Sequence, residues 1–186
     1  MAYKTCDDLE NSLYLGPDQF RACCQRFFYE SKIRGDAPLM NLDENSLPTP
    51  KQILKARQNL YNKIQNDTAE SCKGCRYIEE VDNPPQITNN IKHLSIEHHS
   101  VCNLRCAYCS EIYYGGKKPH YKIDEFIKSL SKENCLNNCK QIVWGGGEPT
   151  ADKSFQKTLE NIDHYSSPDL YHRVFTNSVS YRKVVE

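Results

Sequence analysis

No stretch of this chain approaches the roughly 18 consecutive apolar residues that a membrane helix needs, so the sequence offers nothing to span a bilayer as a helix. An excess of charge is lacking too. The 24 lysines and arginines match 24 aspartates and glutamates, and residues 1–90 hold 11 basic and 13 acidic side chains, so neither half carries the field that steers a protein to nucleic acid. The opening residues, Met1-Ala2-Tyr3-Lys4-Thr5-Cys6-Asp7-Asp8, contain no apolar signal segment, which points to a cytoplasmic product. Repeats and low-complexity tracts are absent as well. With 38 % hydrophobic residues over 186 positions, the chain can bury the core of one or two domains.

Cysteine is what the chain has in abundance. Ten in a cytoplasmic chain of this size read poorly as disulfides, because a reducing compartment keeps thiols free, and metal binding accounts for them better. Three of them, Cys102, Cys106 and Cys109, form a C-x3-C-x2-C run directly after a strand-like segment. Thiolates hold iron–sulfur clusters, and a ferredoxin-type site needs four, whereas the next cysteine, Cys135, lies 26 residues beyond Cys109. A triad of this kind leaves one iron open to a substrate or cofactor. Zinc completed by His98, His99 or His120 is a rival reading, and ordinary buried thiols are a third.

A second motif, Gly145-Gly146-Gly147-Glu148-Pro149, follows the strand-like run Gln141-Ile142-Val143-Trp144. A glycine run after a strand marks, by itself, only a tight turn or a close backbone approach. The cysteine run, with Tyr108 as its aromatic, and the GGEP segment after it together resemble the cluster and cofactor motifs of radical S-adenosylmethionine (radical SAM) enzymes. That resemblance implies a [4Fe-4S] cluster on Cys102, Cys106 and Cys109. It implies that S-adenosylmethionine binds the open iron and is split into methionine and a 5′-deoxyadenosyl radical that takes hydrogen from a substrate. It also implies that Tyr108 packs near the adenine and that Gly145, Gly146, Gly147 and Glu148 position the methionine end. Glu148 either holds the loop or adds negative charge near the ammonium. Thr176 and Asn177 touch the cofactor in this scheme, although Ser178 stands where the family more often has glycine. Partners follow: an electron donor such as flavodoxin or ferredoxin, and a peptide or small-molecule substrate such as a sugar. Neither nucleic acid nor a membrane is expected. The alternative is a non-catalytic interaction module that holds zinc or electron-transfer clusters.

Residues 1–85 carry the remaining candidates. Ser12-Leu13-Tyr14-Leu15 and Phe20-Arg21-Ala22-Cys23 flank the turn signal Gly16-Pro17-Asp18, which predicts a hairpin with Cys23-Cys24 on its second arm. Strand alternation then lets only one of that pair face a given site, and Cys23 is favoured. Residues 34–38 read as a loop. Residues 50–65 have helical apolar spacing, with Thr49 as N-cap and Pro50 at the first position, and lead to Cys72-Lys73-Gly74-Cys75, a compact metal-binding turn. Cys6, Cys23, Cys72 and Cys75 make a set of four. The set resembles the SPASM or twitch auxiliary-cluster modules of radical SAM enzymes, although here it precedes the catalytic part. An auxiliary iron–sulfur cluster, a structural zinc and unliganded thiols are its three readings.

Asp82-Asn83-Pro84-Pro85 reads as a linker, giving a Cys-rich α+β auxiliary-cluster domain over 1–85 and the N-terminal part of a radical SAM core over 86–186. Strands over 91–98, 141–144 and 171–176, with helices over 123–130 and 153–164 between them, predict a parallel α/β sheet whose strand ends carry the motifs. The resemblance makes this the N-terminal half of a partial (βα)6 TIM-like barrel. Three strands and an end at Val184-Val185-Glu186 suggest a fragment, or a chain that a partner completes. Residues 113–118 read as an exposed connection and His98-His99 as a loop-facing pair, with a proton-transfer role as the sharper reading. Cys135 and Cys139 read as free thiols near a helix end, or as part of a further cluster.

Overall fold

Leu94 and Ile96 flank Ser95, and Ile142 and Trp144 flank Val143, and this period of two puts four large apolar side chains on one face of two adjacent strands. The computed structural model describes residues 2–109, 115–166 and 168–179. Residues 113–114 of the expected connection and the terminal 184–186 lie outside that set.

In chain order the strands are β1 (Tyr3–Thr5), β2 (Ser12–Leu15), β3 (Gln19–Arg21), β4 (Arg26–Tyr29), β5 (Lys32–Gly35), β6 (Pro38–Asn41), β7 (Glu79–Val81), β8 (His93–Ile96), β9 (Gln141–Trp144) and β10 (Tyr171–Val174). The helices are α1 (Asp7–Asn11), α2 (Pro50–Gln65), α3 (Ile123–Lys132) and α4 (Phe155–Tyr165). Thr49 caps α2 with a full capping box against Gln52, and Pro50 fills the first helical position. The apolar face of α3 is Ile123, Phe126, Ile127 and Leu130, all buried. These pack with Leu94, Ile96, Ile142 and Trp144 in one core. Each contributes about 1.5–3 kcal/mol of transfer free energy.

One mixed six-stranded sheet, in the order β10-β9-β8-β2-β3-β6, forms the centre. β8, β9 and β10 are parallel neighbours joined through α3 and α4, as the strand–helix alternation requires. The sheet does not stop at β8. β2 pairs with it in parallel, Leu13 opposite Leu94 and Leu15 opposite Ile96, and β3 and β6 extend the sheet in antiparallel sense. The expected division at 82–85 is therefore crossed by a shared sheet and a shared core, which includes Leu13, Leu15, Phe20, Leu42 and Ile53. The reason is hydrophobic: Leu13 and Leu15 would be stranded in a separate small unit, and the apolar edge of β8 gives them cover.

The hairpin of β2 and β3 forms, but β3 ends at Arg21, so Cys23 and Cys24 lie beyond it and strand alternation does not govern them. The expected loop over 34–38 is instead the end of β5, a two-residue break and the start of β6. The strand expected over 171–176 ends at Val174.

Arg57 on α2 locks the N-terminal strands to the sheet. It is 0 % exposed and donates to the carbonyls of Glu10, Ser12, Thr88 and Asn90. Cys135 and Cys139 sit wholly inside the main core, which makes them packing thiols.

Candidate metal and cofactor site

The three candidate segments leave the carboxyl ends of β8, β9 and β10, which are side by side in the sheet. The glycine segment runs against the residues that lead into the cysteine loop. Gly145 N–H donates to Ile96 O (3.1 Å), Gly147 N–H to His99 O (3.1 Å) and Glu148 N–H to Val101 O (2.8 Å). This seam, rather than a ligand, is what first requires the glycines. A Cβ on Gly147 would lie 2.1 Å from Val101 O, and Gly146 has φ +87° with its Cβ position 2.7 Å from His99 O.

Glu148 is 1 % exposed and closes the arrangement. Its Oε1 accepts from Thr150 N (3.0 Å), Thr150 Oγ1 (2.6 Å) and Thr176 Oγ1 (2.8 Å), and its Oε2 accepts from Asn177 N (2.7 Å). Burial works against the charge, but these donors outweigh it and hold the carboxyl below the usual glutamate range. These bonds hold the loop, one of the two roles weighed for Glu148. A group whose folded pKa is depressed adds stability above its unfolded pKa and loses it as pH falls. Glu148→Gln is therefore expected to cost about 1–3 kcal/mol at pH 7, since a donor then faces donors. The penalty should shrink on acidification below about pH 4.3. Urea unfolding of both proteins at pH 7 and near pH 3 measures this, and a penalty that does not change with pH would refute it.

Asn177 completes the link between strand ends. Its Nδ2 donates to Asn103 Oδ1 (2.8 Å) and lies 3.9 Å from Cys102 Sγ. Cys102, Cys106 and Cys109 are each half-buried, with Cys109 N–H bonded to Cys106 O (2.9 Å). Burial, then the neighbouring Cys106 and Cys102, push the Cys109 thiol up. Three soft donors on one loop are the donor type of a thiolate-held metal centre, although their sulfurs do not all lie within 4.8 Å of one another. Tyr108, in contrast, is 92 % exposed.

The four candidate thiols of the N-terminal part share a pocket, although no three of their sulfurs lie within 4.8 Å of one another. Cys6, Cys23, Cys72 and Cys75 line one small cavity of about 20 Å³, walled by Leu9, Ala22, Leu60 and Ile64. Burial pushes Cys6 up to about 12 and raises Cys23 and Cys72. Cys24 is exposed and borders a different hollow, with Glu97.

Two features escaped the sequence reading. Tyr14 on β2 hydrogen-bonds Glu97, a contact across 83 residues that no local pattern announces. The second is the partner of His98: both histidines are buried, and His98 Nε2 lies 3.3 Å from Asp152 Oδ2.

Comparison with known proteins follows the same residues. Residues 96–186 match the family model for the radical SAM superfamily. A 73-residue segment is 32 % identical to the tungsten-containing aldehyde ferredoxin oxidoreductase cofactor-modifying protein of Pyrococcus furiosus, covering 39 % of this chain and 20 % of that protein. The chain thus spans about a fifth of the length of that relative. No solved structure matches. No helix among the described residues is long and apolar enough to cross a membrane.

Proposed function

We propose that this chain contains the cofactor-binding half of a radical SAM enzyme. One observation carries the reading: the thiol loop, the GGGEP segment and the Thr176-Asn177 strand end are tied into one unit through Glu148 and Asn177. Cys102, Cys106 and Cys109 would hold a [4Fe-4S] cluster, whose chemistry when bound is reductive cleavage of S-adenosylmethionine to a carbon radical. The protein's part is placement. The N–H groups of Gly145 and Gly147 are already spent on the β8 side, which leaves the carbonyls of the segment as acceptors for the ammonium of the methionine moiety. Asn177 supports Cys102, and Thr176 braces Glu148. Exposed Tyr108 is assigned to the adenine, where a ligand would cover it.

Cys6, Cys23, Cys72 and Cys75 are assigned to an auxiliary iron–sulfur cluster in a twitch-like N-terminal region. Zinc is the second reading there, since four thiolates are also a structural zinc set. The substrate class assigned is a peptide or small molecule, the electron source a flavodoxin or ferredoxin, and the setting the cytoplasm.

Anaerobic reconstitution followed by electron paramagnetic resonance, with and without S-adenosylmethionine, tests this. A cluster signal that the cofactor perturbs is expected. Cys102→Ser should remove that perturbable signal while leaving any signal from the second thiol set. Zinc at both sites together with indifference to S-adenosylmethionine would overturn the reading.

A further inference from the structure

His98, His99 and Asp152 have ligand-capable atoms all within 4.8 Å of one another and border a cavity of about 780 Å³. Its other walls include Val101, Pro119, Tyr121 and Ile123. The hydrogen bonds show what these three groups are built to do. Asp152 is held ionised: the His98 contact comes first, and Ser154 adds N–H and Oγ–H donors to its carboxylate. An ionised carboxylate only accepts, so the proton in the 3.3 Å His98 Nε2···Oδ2 contact sits on Nε2. A neutral imidazole then carries its lone pair on Nδ1, and among the described residues that atom has no hydrogen-bond partner. His99 differs. Its Nδ1 accepts from Val101 N–H at 3.2 Å, so its lone pair is spent and its proton lies on Nε2, 3.9 Å from the same Asp152 oxygen.

Both rings therefore direct an N–H at one carboxylate oxygen. That disposition disfavours a metal ion, which would need lone pairs there. It matches instead the orientation of a catalytic base by a carboxylate.

We propose that His98, oriented by Asp152, is a general base for a ligand with an apolar body and an acidic O–H, N–H or C–H bond seated in this cavity. His98 Nδ1 takes the proton and becomes imidazolium. Asp152 stabilises that cation through Nε2–H. The electron pair stays on the ligand, whose anion is met by Lys118 and Lys153 on the cavity wall, against the opposing charges of Asp124 and Glu125. Lys122 is paired with Glu125. The inference goes beyond the radical SAM reading and does not depend on it, since no cofactor takes part.

The probe is 5-nitrobenzisoxazole, a small apolar molecule that opens when a base removes its ring C–H proton. The N–O bond breaks as the proton leaves, and a coloured cyanophenolate forms with no other reactant. Chelator-treated protein is expected to open it with saturation, at least about tenfold faster than the same concentration of imidazole, within the range of positioned bases. His98→Gln should return the rate to the imidazole level, Asp152→Asn should lower it several-fold, and His99→Gln should leave it within about threefold. Circular dichroism checks that each variant folds. If His98→Gln does not fold, Asp152→Asn decides. A wild-type rate equal to that of imidazole, a rate that survives His98→Gln, or one that requires added Zn(II) or Mn(II) would overturn the proposal.

Discussion

Methionine in place of Arg57 is expected to lower the free energy of unfolding by about 3–5 kcal/mol, although it removes a buried charge. Two effects oppose each other. Burial pulls the guanidinium down to about 10, a desolvation cost of about 3 kcal/mol that the substitution relieves. Against this, the carbonyls of Glu10, Ser12, Thr88 and Asn90 lose their donor, at about 1–3 kcal/mol each where they stay dry. Four such losses exceed one relief. Because the carbonyls lie on both sides of the 82–85 segment, the damage should centre where β2 meets β8. Equilibrium urea unfolding gives the total, and amide exchange at residues 88–94 gives the location. A loss below about 1 kcal/mol would mean that water reaches those carbonyls once the side chain is gone.

Alanine at Gly147 should be the most damaging single change at the site. The new Cβ would meet Val101 O at 2.1 Å, Val101 C at 2.7 Å and Ser100 C at 2.8 Å, all backbone atoms with no rotamer to turn. The glycine segment must then retreat by about 1 Å from the cysteine loop, and it takes with it the Glu148 carboxylate that fixes Thr176 and Asn177. We expect at least tenfold weaker S-adenosylmethionine binding, read from the concentration that perturbs the cluster signal. Alanine at Gly145 is the control, since its nearest neighbour is the tip of the Glu97 side chain, at 3.2 Å, and no backbone atom is among its close neighbours. Equal behaviour of the two variants would show that the seam does not set the site.

The chemistry-bearing residues were legible in the sequence because each motif is local. Cys102, Cys106 and Cys109 lie within eight positions, the glycines are consecutive, and α3 declares its buried face by residues three and four apart. That β8, β9 and β10 run parallel followed from strand–helix alternation and the handedness of crossovers. Those readings need only short-range periodicity and the valence of sulfur.

Tertiary structure decided the rest. Whether β2 belongs to a separate unit or to the main sheet depends on the apolar edge of β8, about 80 residues away, and no window along the chain contains both. Glu148 could have faced a ligand, but it was claimed by Thr150, Thr176 and Asn177, which only folding brings to it. His98 carried a proton-transfer reading in the sequence, but its partner Asp152, 54 positions later, is one that only folding brings within 3.3 Å of its Nε2. Local pattern names the groups that can do chemistry. Long-range packing decides which oxygen faces which nitrogen, because a hydrogen bond depends on distance in space and carries no record of distance along the chain.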